Sequence, residues 1–143
     1  MTRVDFYFNV GDKVRYLADL ASKALIRNRR LFILVSDASM AERIEHGLWT
    51  TLPTGFLPHC RSDHRLAAET PIVVDWRSDQ LVHDDVLINF RTECPLIFSR
   101  FNGLVELVGH DETDRADARL RYRFYRDRGY EIRSHDIAGT THG

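Results

Sequence analysis

Cysteine is scarce in this chain: 143 residues hold two, Cys60 and Cys94. Two thiols offer no disulfide framework, and the expectation is a pair of reduced cysteines in a cytoplasmic protein. Lysine is equally rare. Only Lys13 and Lys23 are lysines among the 20 basic residues, and the rest are arginine. Charge of one sign is missing as well. The formal net charge is −1, which disfavours a partner held by bulk positive charge, such as nucleic acid. No apolar run approaches the ~20 residues that cross a bilayer. Met1–Val10 carries Asp5 inside an alternating stretch, so it does not read as a secretory signal. Internal repeats, low-complexity tracts and Pro/Gly-rich linkers are absent. So are the glycine fingerprints G-x-G-x-x-G and G-x-x-x-x-G-K-[ST] of phosphate-binding loops.

What is present suits one folded domain. Hydrophobic residues make up 43% and charged residues 29% of a 16.6 kDa chain, ordinary values for a globular protein. Val4, Phe6 and Phe8 alternate through Arg3–Phe8, the period of a strand. Val14, Leu17, Ala18, Ala21 and Leu25 recur at helical spacing over Lys13–Arg27. Leu31–Val35 is a continuous apolar run, as expected of a strand buried on both faces. Ser39 with Glu42 reads as a capping box that opens a second helix through Ala41, Ile44 and Leu48. Strand, helix, strand, helix predicts right-handed crossovers and a parallel sheet, hence an α/β fold. Beyond the breaks at Pro53, Gly55 and Pro58, further strands are expected at Pro71–Trp76, Val86–Phe90 and Leu104–Val108, with a helical turn at Pro95–Ser99. Asp111–Arg128 reads as a long polar helix stopped by Gly129, followed by an edge strand over Tyr130–Arg133. One domain over residues 1–137 and a frayed tail over 138–143 complete the expectation.

The chemistry on offer is limited. The first strand-to-helix turn, Asn9-Val10-Gly11-Asp12-Lys13, places an acid beside a single glycine and makes a poor cradle for pyrophosphate. His59, Cys60 and His64 lie close together, but no second Cys/His pair stands at zinc spacing, so no metal and no cofactor is expected. The last helix says more. Arg115–Arg128 contains six arginines, with Asp111, Glu112 and Asp114 ahead of them, the order the helix dipole favours. At ~100° per residue, Arg115, Arg119, Tyr122 and Arg126 share one ridge, while Ala116, Leu120 and Phe124 occupy another arc and are expected to face the sheet. A ridge of guanidinium groups beside a phenol suits an acidic peptide. Nucleic-acid phosphate and a solvated face of intrahelical pairs are the alternatives. A small nucleotide-binding α/β enzyme is the competing class, supported by fold analogy alone. Trp49, at the end of the second helix, and Phe56, in a loop stiffened by Pro53 and Pro58, are either core plugs or exposed anchors for a partner.

Three stretches carry a family resemblance: Val4-x-Phe6-Tyr7, Leu48–Cys60 (LWTTLPTGFLPHC) and Arg115–Tyr130 (RADARLRYRFYRDRGY). Together, in this order, they resemble the chi subunit of bacterial DNA polymerase III. The resemblance implies a single Rossmann-like domain, a mostly parallel sheet flanked by helices, with no working nucleotide loop. It implies a non-catalytic replication subunit that binds the acidic C-terminal tail of single-stranded DNA-binding protein. It also implies a contact with psi, the tether to the clamp loader, or with a helicase of the XPD type. Carried onto this chain, the tail site falls on Val108, Arg115, Arg119, Tyr122 and Arg126, and the psi or helicase surface on Trp49, Phe56 and Pro58. There the resemblance favours exposed anchors.

Overall fold

Val4, Phe6 and Phe8 build β1 (Arg3–Phe8), whose period-two pattern sends alternate side chains to opposite faces. The computed structural model describes residues 2–51, 59–63, 70–77 and 83–138. After β1 come α1 (Lys13–Ile26), β2 (Leu31–Leu34), α2 (Ala38–Thr51) and the two-residue β3 (His59–Cys60). Then follow β4 (Ile72–Asp75), β5 (Val86–Asn89), a 3₁₀ turn over Leu96–Arg100 and β6 (Gly103–Leu107). The chain closes with α3 (Glu112–Asp127) and β7 (Ile132–Asp136). Among the described residues the strands form one seven-stranded sheet in the order β3-β4-β2-β5-β6-β1-β7, and every pairing is parallel. This is the α/β architecture that the strand-helix alternation predicts. No helix of the described residues is long and apolar enough to cross a membrane.

The helix ends follow from short polar side chains. Asp12 caps α1 by accepting from the Arg15 N–H at 3.1 Å. Asp37 caps α2, accepting from the Met40 N–H at 2.8 Å, two residues ahead of the expected Ser39. Asp37 caps because it directly precedes Ala38, the first helical residue, whereas Ser39 already lies inside the helix. Gly129 stops α3 at φ +81°, a backbone region that side-chain-bearing residues rarely adopt. Beyond it, β7 runs to Asp136, three residues past the expected edge strand. Strand β3 follows Pro58, where no strand is expected, and two residues are too few to show a period. Residues 139–143 of the expected tail lie outside the described residues.

Different helices fill the two sides of the sheet. On one side α1 and α2 pack Leu17, Ala21, Ile44 and Leu48 against Ile33, Val35 and Val74. On the other, α3 and the 3₁₀ turn bring Ala118, Tyr125 and Phe98 onto Val4, Phe6, Leu34 and Leu87. Each buried aliphatic or aromatic side chain contributes about 1.5–3 kcal/mol, which holds the helices in place. The face that α3 turns inward is not the expected one. Ala118, Arg121 and Tyr125 are buried, whereas Ala116 and Leu120 are exposed and Phe124 is half-buried. The reason is a buried carboxyl on β6, that of Glu106, which draws polar partners from the helix.

Candidate functional site

A groove of about 330 Å³ opens to solvent between α3 and the β1–β7 end of the sheet. Strand β1 supplies Phe6 and Phe8, and Val108 follows the end of β6. Helix α3 contributes Arg115, Ala118, Arg119 and Tyr122 from one wall, and Ser134 of β7 stands opposite. The floor is apolar and solid: Phe6, Val108 and Ala118 are buried. Tyr122 is half-buried and leans on Phe6, with ring centroids 5.3 Å apart at 57°. Four of the five residues expected to form a peptide site, Val108, Arg115, Arg119 and Tyr122, line this groove. Arg126 lies on the same ridge, one turn beyond Tyr122, and is exposed rather than part of the lining.

The ridge arginines already hold acceptors. Asn9, in the left-handed region at φ 63°, accepts from Arg115 at 2.9 Å and donates to Asp136 at 2.9 Å. The Asn9 amide and the Ala138 N–H hold the Asp136 carboxyl below its usual range. Arg119 donates to Glu112 at 2.7 Å, and Arg126 reaches Asp127 at 3.3 Å. These contacts are exposed and of the kind that contributes ~0–1 kcal/mol. They leave the groove open, unlike an inward-locked arginine cluster.

Below the ridge, a buried network sets the rotation of α3. Glu106 accepts from Arg121 Nε at 3.0 Å, the Tyr125 hydroxyl at 2.7 Å and Asn89 Nδ2 at 3.1 Å. Arg121 also donates to the Thr92 carbonyl at 2.8 Å. Burial pushes the Glu106 carboxyl up in pKa, opposed first by the Arg121 guanidinium. With Arg121 and Tyr125 pinned underneath, Tyr122 comes to the flank and Arg119 nearer the crest, about 100° and 160° round the helix from Arg121.

The crevice between the C-terminal ends of β1 and β6 is the switch point, since α1 and α3 leave these neighbouring strands toward opposite faces. Open α/β sheets place nucleotide phosphates at such a crevice. Here a carboxylate takes the donors. Asp114 accepts from the Gly109 N–H at 2.7 Å and meets Lys13 Nζ at 2.7 Å. Burial alone would raise the Asp114 pKa, but Lys13 and the Gly109 N–H hold it below the usual range. An anion would meet this negative charge, which counts against the nucleotide reading.

Other expected residues stand elsewhere. Trp49 belongs to α2, and its side chain, with Phe56 and Pro58, lies outside the described residues. The side chains of His59, Cys60 and His64 lie outside them too, and among the described residues no three His, Cys, Asp or Glu side chains gather to hold a metal. Sequence reasoning missed Phe6, Phe8 and Ser134 as groove residues. The alternation of β1 was the available signal for the two phenylalanines, since every second residue faces α3; nothing local marked Ser134.

Comparison with known proteins places this geometry in a family. The family model described as "DNA polymerase III chi subunit, HolC" matches residues 1–133. The chain is 30% identical over 141 residues to the DNA polymerase III subunit chi of Pseudomonas aeruginosa, covering 96% of this chain and 98% of that protein. It is 27% identical to the same subunit of Haemophilus influenzae, over 83% of each chain. With that of Escherichia coli it shares 24% identity over 81% of this chain and 80% of the relative. A match of this length, on an all-parallel α/β sheet, shows that the chain belongs to the DNA polymerase III chi subunit family.

Proposed function

We propose that this chain is a non-catalytic accessory subunit of the replication machinery that captures the acidic C-terminal tail of single-stranded DNA-binding protein. The groove beneath Arg115 and Arg119 receives the last residue of the tail. Its apolar side chain packs on Val108 and Tyr122, and its terminal carboxylate takes two parallel hydrogen bonds from Arg119. Upstream acidic residues meet Arg115 and, along the ridge, Arg126. Trp49, Phe56 and Pro58 form the second surface, for psi or for a helicase of the XPD type, so that the subunit links the tail to the clamp loader. One observation carries the reading: an apolar floor open to solvent, with two guanidinium groups from a single helix on its wall. An apolar hollow alone would take any hydrophobic residue. Arginines at its wall select one that ends in a carboxylate.

Such a small site binds weakly, on the order of micromolar, or roughly −8 kcal/mol. Titration calorimetry of the tail peptide into the full chain and into Arg119→Ala tests it. The variant should lose affinity on the order of tenfold, because charge-assisted hydrogen bonds contribute about 1.5–3 kcal/mol. Its fold should persist, since the Arg119 side chain is 53% exposed. Unchanged affinity in a folded variant would remove Arg119 from the site and the groove from the reading.

A further inference from the structure

Glu112 opens the first turn of α3, where a carboxylate is favoured by the helix dipole. Its side chain does more than stabilise the helix end. Glu112 and Arg119 are seven residues apart, which at ~100° per residue places them ~20° apart on the helix surface and about 10 Å along its axis. The arginine extends back toward the N-terminus, as helical side chains do, and its NH2 group donates to Glu112 Oε1 at 2.7 Å. The other ridge arginines lack an equivalent. Arg115 is held by the neutral amide of Asn9, and Arg126 meets its own chain neighbour at 3.3 Å. Arg119 is thus the one groove-lining arginine whose partner is a carboxylate in a short contact.

Resting on the groove reading above, we infer that Glu112 is a built-in competitor for Arg119, an internal carboxylate that an incoming chain end must displace. The contact uses one oxygen and one nitrogen of a guanidinium that carries five N–H donors. A peptide terminus presents two oxygens in the matching plane and gains a second bond on exchange. An anion that can offer Arg119 only one oxygen replaces like with like and gains nothing. Glu112 therefore lowers the affinity of any ligand that needs Arg119 and keeps the complex readily reversible. With side chains 76% and 53% exposed, the pair exchanges with solvent easily.

The test is a double-mutant cycle read by calorimetry with the C-terminal peptide of single-stranded DNA-binding protein, using the full chain, Glu112→Gln, Arg119→Ala and the double variant. Glu112→Gln should bind roughly two- to fivefold more tightly, the range expected for release of an exposed ion pair. In the Arg119→Ala background the same substitution should change nothing. Tightening that persists without Arg119 would mean a general charge effect and would overturn the inference. Failure of Glu112→Gln to tighten binding, while Arg119→Ala weakens it, would overturn the competitor and leave the groove intact. An Arg119→Ala variant that binds like the parent would defeat both.

Discussion

Replacing Glu106 by leucine removes the acceptor on which the inward face of α3 converges. Three donors lose it together: Arg121 at 3.0 Å, Tyr125 at 2.7 Å and Asn89 at 3.1 Å. Arg121 is 4% exposed, so water cannot replace the lost partner. Breaking a buried ion pair from one side costs about 3–5 kcal/mol, because a charge is left uncompensated. A chain of 143 residues unfolds with an entropy near 0.3 kcal/mol/K, at ~2.1 cal/mol/K per residue, so the loss corresponds to a fall in Tm of roughly 10–17 °C. Adding Arg121→Met to Glu106→Leu removes the stranded charge and fills the space with an apolar side chain. At least half of the lost stability should return, since buried pairs exchanged for well-packed apolar residues are often neutral. Thermal melts of the two single variants and the double variant measure this directly. A double variant no more stable than Glu106→Leu alone would refute the reasoning, as would a single variant within ~1 kcal/mol of the parent.

Two other outcomes follow from the packing and the acids. Gly47 of α2 faces Val14 of α1 so closely that an added Cβ would overlap Val14 Cγ1. Alanine would gain ~1 kcal/mol of helix propensity, but the β-branched Val14 cannot swing away, so Gly47→Ala should lower Tm with a net loss of up to about 2 kcal/mol; an unchanged or raised Tm would show that α1 and α2 yield. Asp75 is fully buried, which alone would raise its pKa, yet bonds from Arg77 and Ser62 hold the carboxyl well below the usual range. Its contribution is therefore complete above the unfolded value of ~3.9 and is lost as pH falls through the folded value. Tm of the parent should drop steeply below about pH 4, and Asp75→Asn, less stable at neutral pH, should show a shallower acid slope; equal slopes would assign the acid loss to other carboxylates.

Much of this was legible in the residues. Period two in Val4-Phe6-Phe8, the apolar run at Leu31 and the helical spacing from Val14 to Leu25 located the first three elements to within a residue. Angular spacing placed Arg115, Arg119 and Tyr122 on one side of α3. The inward face of that helix was not legible, because apolar periodicity favours Leu120 and Phe124 over Arg121 and Tyr125. What turns the helix is Glu106, distant in sequence, and a carboxylate in a strand gives no local sign that it will be buried. Asp37 was overlooked as a cap for a different reason: Ser39 and Glu42 satisfy a pattern that their backbone position does not use. The role of Glu112 depends on a contact two turns away, visible only once Arg119 is seen to reach back.

The strand order places β3, which directly follows Pro58, at one margin of the sheet, and β7 beside the groove at the other. Six inter-strand spacings of ~4.8 Å separate them, roughly 29 Å. On the proposed function, a partner held near β3 and a tail held in the groove would meet the sheet at different margins. Helices on both faces back the parallel sheet that separates these margins. In that role the sheet would serve as a firm spacer between the tail groove and the margin that carries β3.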